Sequence, residues 1–468
     1  MLKKSDFMKY RLDKDVLGAV KVPADAYYGS ETQRSLDNFK VSGIRMPMEF
    51  VYAYAMLKKA AAIANMRDKK LDAKRAHAIV KACDIILEHK LDDQFAIDIF
   101  QAGAGTCLNM NVNEVIANKA IEILGGKRGD YKIIHPNDHV NMSQSTNDTM
   151  PSVVRIATYI GIERKLMSAL TLLEKKLHKK SVEYREVVKI GRTHLQDAVP
   201  MTLGQEFSGY EYALKNAISM LNDAKRRLLY IPLGGTAVGT GINADENYAR
   251  IAINELNRIT GIKFRISANR FAVMQQRIEE LSVADALKEV STAINKISND
   301  MRLLTSGPKG GMGEIILPEI LPGSSIMPGK INPSMPEMMG MVCLKIIGNC
   351  TTITDAANSG QLEINVFTPI LAYDLMFSIN ILSNASALFA EKCIDGIRVN
   401  KQISAHVEMD MSIATALSPY IGYAKASEVA RKAYKENKSV KAVCLELGIL
   451  DKNKLDEILD PKKLVGRY

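Results

Sequence analysis

Residues 276–304 read QRIEELSVADALKEVSTAINKISNDMRLL, and their apolar positions decide the fold class. Leu287, Val290, Ile294, Ile297, Met301 and Leu304 recur at alternating spacings of three and four, the signature of a helix face packed on other helices. If all 29 residues are helical, they span about 43 Å. Comparable patterns occupy 153–177, 201–229, 334–353 and 366–389. Five helices of this length do not suit a doubly wound sheet and do suit a helical bundle. The expected fold is therefore mainly α. A mixed N-terminal domain is expected over 1–145, the long-helix bundle over 146–398, and a small Lys-rich helical domain over 399–468.

Between two of the long helices lies an irregular stretch, 305–333, with 6 Gly and 5 Pro in 29 residues. A loop this long inside a compact chain usually carries function. Its last part, Gly323-Ser324-Ser325-Ile326-Met327-Pro328-Gly329-Lys330-Ile331-Asn332-Pro333, places two hydroxyls, one cation and one amide between flexible glycines. That set can close over an anion.

Three other clusters are polar where a core would be apolar. QAGAGTCLNMN (101–111) offers Thr106, Asn109 and Asn111 behind two glycines. HPNDHVNMSQSTND (135–148) contains His135, Asn137, Asp138, Ser145, Thr146 and Asn147, and its end can also cap the following helix. A helix N-terminus is itself an anion site. GRTHLQDAVP (191–200) follows a strand-like run and puts Thr193 and His194 beside an Arg and an Asp, read as a strand-to-helix junction. The glycine run at 234–241 lacks the lysine and hydroxyl of a phosphate loop and reads as close backbone packing.

Composition narrows the partners. At 468 residues the chain can bury a large core, with 47% hydrophobic and 24% charged residues. The net charge of +10 is scattered among acidic residues, and with no Trp and 6% aromatics a stacking surface for nucleic acid is not expected. The basic balance suits small dianions. The six cysteines form no CxxC pair, and the seven histidines form no HExxH or His/Cys cluster, so neither a metal nor an organic cofactor is expected. Neither a signal-type apolar segment nor a run of 18 apolar residues occurs, so a cytoplasmic protein with reduced thiols and no membrane contact is expected.

The loop at 323–333 resembles the signature loop of the aspartase/fumarase superfamily, lyases that release fumarate from a substituted succinate, and the clusters around Thr106, Ser145 and His194 resemble its other active-site regions. The resemblance implies a three-domain fold with a central bundle of five long helices. It also implies a homotetramer whose active sites are shared between subunits, three chains to a site. Abstraction of a weakly acidic proton beside a carboxylate creates an aci-carboxylate dianion, which demands donors where that charge develops. Lys330 and Asn332 would hold one carboxylate of a small dicarboxylate; Thr106, Ser145, Thr146 and Ser325 would hold the other. By resemblance, Ser324 is the base, Asn147 and His194 contact the leaving group with Thr193 alongside, and Glu337 pairs with His194. His135, Asn137 and Asp138 match a possible second dicarboxylate site. A nucleophile elbow and the Ala-Ser-Gly triplet of a self-made electrophile are both missing, and Lys330 has no pyridoxal-phosphate surroundings.

Within the superfamily, AGAGT (102–106), QSTND (144–148), DAVP (197–200), NPSMPE (332–337) and GQLEIN (360–365) resemble aspartate ammonia-lyase. VPADAYYG (22–29), TQRSL (32–36) and HPND (135–138) resemble class II fumarase. Because the first set lines the pocket, the expectation is reversible deamination of L-aspartate, with hydration of fumarate as the alternative. A non-catalytic helical scaffold is a third possibility, opposed by the intact set Thr106, Asn147, His194, Ser324 and Lys330.

Overall fold

The structure is a computed structural model that describes residues 9–400 and 402–466. It is mainly helical, with 17 α-helices among the described residues and only short two-stranded sheets. All five expected long helices form. Their bounds are Thr146–Gly161 continued through a π-turn into Met167–Glu183, then Leu203–Arg227, Ile278–Leu304, Ser334–Asn358 and Thr368–Phe389. Among the described residues, no helix is long and apolar enough to cross a membrane.

The chain divides into two compact units that interleave along the sequence. The first comprises Met1–Leu166, Met220–Lys288 and Lys345–Ile381. Its core is built by helices Met48–Arg67, Ala73–Leu87, Thr106–Ile123, Thr146–Gly161 and Tyr248–Thr260. Ala60, Ala61 and Ala64 allow close helix approach on one face, while Phe50, Leu57, Ile79 and Val115 fill the remaining space. An antiparallel hairpin, Tyr10–Asp15 with Gly18–Pro23, precedes these helices.

The second unit comprises Met167–Ser219, Glu289–Leu344 and Leu382–Tyr468. It contains the antiparallel hairpin Val188–Thr193 and Gln196–Thr202, with a bulge at Ile190/Gly191. After Val399 the helices shorten, and Leu417, Val429, Val440, Val443 and Leu455 make a small core of their own.

Candidate active site

In the first unit, two helix starts build a neutral donor cluster. Ala104 and Gly105 both have positive φ, 59° and 82°, which turns the chain sharply into helix Thr106–Ile123. A Cβ on Gly105 would meet Met150 Sδ at 2.8 Å, so only glycine fits against the neighbouring helix. Thr106 is exposed in the first turn of its helix. One turn later, Asn109 is buried and donates from Nδ2 to Thr146 Oγ1 at 2.9 Å. The contact leaves the Thr146 hydroxyl proton free to point elsewhere.

Helix Thr146–Gly161 opens with a capping box: Ser145 Oγ accepts from Asn147 N at 3.2 Å, and Asp148 Oδ1 accepts from Ser145 N at 2.9 Å. The second oxygen of the buried Asp148 takes the N–H groups of Gly234 and Thr236 at 2.9 and 3.1 Å. Burial pushes the Asp148 carboxyl up to about 6, against the pull of these N–H donors. Asn147 Nδ2 donates to Ala237 O at 2.8 Å. The glycine run is therefore a backbone partner of this helix start. Its close packing is also real, since a Cβ on Gly234 would sit 2.6 Å from Ala249 Cβ. The structure thus brings Thr106, Ser145, Thr146 and Asn147 onto two adjoining helix starts.

The expected second dicarboxylate site lies in the same unit, on a short π-turn, Pro136–Val140. His135 Nδ1 accepts from Asn137 N and Asp138 N at 3.2 and 3.3 Å. The Asp138 carboxylate is 3.6 Å from the same nitrogen, which already accepts from two backbone donors. The Asn137 and Asp138 side chains are exposed.

In the second unit, His194 does not sit at a strand-to-helix junction. It is the first of two residues at the tip of a β-hairpin, with φ 55° and Leu195 at 60°. Two consecutive left-handed residues are the geometry usually filled by Asn-Gly; His-Leu carries no such signal, so the sequence did not betray the turn. Neither residue adopts this conformation cheaply, and both are exposed, as is Thr193. The hairpin is anchored at its base. Arg192 pairs with the buried Glu314, and Lys189, also buried, contacts Glu314 and Glu206 at 2.7 and 2.8 Å. Glu314 begins the stretch leading to the signature loop, a link that spacing could not reveal.

The loop closes on itself around Gly323. Gly323 N donates to Lys330 O at 2.9 Å, and Asn332 Nδ2 donates to Gly323 O at 2.5 Å. A Cβ on Gly323 would lie 2.2 Å from Lys330 O, so the closure requires glycine. Ser324 Oγ accepts the backbone N–H groups of Ile326 and Met327 at 3.2 and 2.9 Å. Lys330, Asn332 and Glu337 line a cavity of about 810 Å³. Ser325, Lys330 and Glu337 are exposed, and among the described residues no ion pair joins Glu337 to His194.

Comparison with known proteins fits this arrangement. A family described as Lyase matches residues 18–348, and one described as Fumarase C C-terminus matches 413–466. A class II fumarate hydratase of Neisseria meningitidis is 45% identical over 98% of this chain and 99% of its own. That of Bacillus subtilis is 43% identical over the same shares. Among solved structures, a class II fumarase from Schistosoma mansoni superposes with a TM-score of 0.96 at 37% identity, covering 98% of this chain and 99% of that one. A "fumarate lyase:delta crystallin" from Brucella melitensis bound to cobalt gives 0.95 at 44% identity, covering 98% and 100%.

The fold and these matches define the class: the protein is a lyase. The chain belongs to the aspartase/fumarase superfamily. The expectation of an aspartate ammonia-lyase is overturned, because relatives 42–45% identical over 98% of the chain are named fumarate hydratases. The physical reason is that the residues behind that expectation, Thr146 above all, are assigned by the resemblance to a carboxylate that malate and aspartate share, so they do not discriminate between the two.

Proposed function

We propose that the protein is a class II fumarate hydratase, interconverting L-malate with fumarate and water. The observation that carries this reading is the 45% identity to a fumarate hydratase along 98% of the chain. The geometry supports the chemistry. Ser324 removes the proton from the carbon beside one carboxylate, and the two N–H groups at its Oγ favour the alkoxide this requires. Lys330 and Asn332 hold the resulting aci-carboxylate, whose electron pair then expels the β-hydroxyl. Thr106, Ser145, Thr146 and Ser325 hold the second carboxylate. Asn147 and His194, with Thr193 beside it, contact the departing hydroxyl, and His194 supplies the proton that lets it leave as water. The reverse sequence adds water to fumarate.

The two groups of residues belong to different units, and His194 has no partner for its ring within the described chain. We take them to be joined in a homotetramer, where Glu337 of another copy pairs with His194. His135, Asn137 and Asp138 are kept as a second dicarboxylate site on the strength of the resemblance. All six cysteines are buried and free, which suits a reducing, cytoplasmic setting.

Parallel ultraviolet assays of fumarate formation from L-malate and from L-aspartate test the proposal. Rapid formation from malate with none from aspartate is expected. Deamination of aspartate without malate dehydration would refute it.

A further inference from the structure

Lys58 lies in the middle of helix Met48–Arg67 with no exposed surface. An ammonium there has lost its hydration, and burial drives its pKa down to about 7 in spite of the Asp148 carboxylate, which pulls it back up. A buried charge of this kind is costly to keep, and a methionine of similar length would fill the space without that cost. The contacts of Lys58 show what the charge holds. Its Nζ donates to Asn141 Oδ1 at 2.7 Å, and Asn141 Nδ2 in turn donates to Gln144 O at 3.2 Å. Gln144 is the residue before Ser145. Two helical turns further along the same face, Asn65 donates to Met142 O at 3.0 Å and accepts from Ser143 Oγ at 2.8 Å. The turn 141–144 is thus fastened to one helix at Asn141, Met142 and Ser143, and Ser143 is held at a φ of 63°.

On the far side of Ser145-Thr146-Asn147 stands Asp148, fully buried, with its two oxygens on Ser145, Gly234 and Thr236. A carboxylate in that first turn opposes the binding of a dianion at the same helix start. The Lys58 ammonium acts on that carboxylate through space in the opposite sense, favouring its charged form.

We propose that Lys58 is a positioning residue for the carboxylate-binding turn: through Asn141 it sets the 141–145 backbone that presents the Ser145 and Thr146 hydroxyls, and it balances the Asp148 charge beneath them. The inference rests on the function proposed above for that turn. Lys58 touches no substrate.

The test uses the full-length enzyme carrying Lys58→Met, Asn141→Ala, and both together. Fumarate hydration gives kcat and KM, calorimetry gives the affinity for succinate, an unreactive dicarboxylate, and thermal melting monitors folding. Loss of a buried charged contact corresponds to about 10–100-fold in binding, so Lys58→Met should raise KM and weaken succinate by that factor while kcat falls less. Asn141→Ala should act in the same direction. Because the two share the Lys58–Asn141 contact, the double variant should lose less than the product of the two single losses. Wild-type succinate affinity in either folded variant, or effects that add in the double variant, would overturn the proposal. If Lys58→Met fails to fold, Asn141→Ala decides alone by the same criterion. A wild-type enzyme that binds succinate without hydrating fumarate refutes the hydratase reading and leaves the succinate series to judge Lys58. One that binds no dicarboxylate refutes both.

Discussion

Replacement of Ser324 by alanine isolates the proposed base. An alcohol ionises far above neutral pH and is a poor base there. Each hydrogen bond to a charged acceptor contributes about 1.5–3 kcal/mol. The Ile326 and Met327 N–H groups at Ser324 Oγ therefore favour its alkoxide by about 3–6 kcal/mol together. The direction is toward an easier loss of the hydroxyl proton. The alkoxide comes within reach only if a cation adds its share, and Lys330 on the same loop is the candidate. A positioned general base accelerates by about 10²–10⁴-fold, so Ser324→Ala should lose that much kcat, equivalent to about 2.7–5.5 kcal/mol of barrier. Succinate affinity should change by less than about threefold, because the carboxylate anchors remain in place. Lys330→Ala should behave differently: its charge is felt by substrate and aci-carboxylate alike, so affinity and turnover should both fall. Steady-state kinetics joined to calorimetric binding makes the distinction. Near-normal kcat in Ser324→Ala would refute the assignment and pass the proton transfer to His194.

Three further outcomes are expected. Mixing inactive His194→Ala with inactive Lys330→Ala, with subunit exchange, should restore partial activity through hybrid sites; verified mixed tetramers without recovery would count against sites shared between subunits. Gly105→Ala places a Cβ against the fully buried Met150 at a φ of 82°, so it should cost about 1–3 kcal/mol in melting experiments and raise KM through the displaced Thr106. Burial raises the Glu122 carboxyl, but hydrogen bonds from Lys119, Arg128 and Tyr27 outweigh it and hold the group at about 2, below its ordinary 4.5. A depressed folded value means stability present above pH 4.5 and lost as pH falls toward 2; Glu122→Gln should flatten the melting temperature across that window.

The helices were legible because their signal is local. The three-and-four spacing of Leu287 to Leu304 needs no knowledge of what the helix touches, and the helix ends where the glycines and prolines begin. The irregular loop was legible for the same reason, since its glycines and polar residues lie within one short stretch; that it closes on itself through Gly323 was not. The division into two units was not, since its boundaries at Leu166, Lys288 and Leu344 fall within or beside continuous helical stretches, where the sequence has no reason to change character. The His194 hairpin escaped because it is anchored at its base by tertiary contacts of Lys189, Arg192 and Glu314 and carries no turn-forming residues at its tip. Lys58 escaped because a lysine in a helix ordinarily marks a solvated face. Only the position of Asn141, 83 residues away, gives it a different meaning.

The same distinction explains why the residues of the pocket named the wrong reaction. Malate and aspartate both carry two carboxylates, and most of the candidate donors, Thr106, Ser145, Thr146, Ser325, Lys330 and Asn332, are assigned to those shared groups. The substrates differ at one substituent, a hydroxyl or an ammonium. Of the groups assigned to it, Asn147 already commits its Nδ2 to Ala237 O, so its remaining carbonyl oxygen can accept from either substituent. On the proposed assignment His194 can donate a proton to a departing hydroxyl or accept a hydrogen bond from an ammonium that leaves as ammonia. Side-chain identity at these positions therefore permits both reactions. On the proposed assignment, what separates them is the placement of His194, which depends on the strained hairpin, the Glu314 anchor and the packing behind them. Such determinants are spread over many positions, which is why similarity along 98% of the chain discriminates where five pocket segments did not.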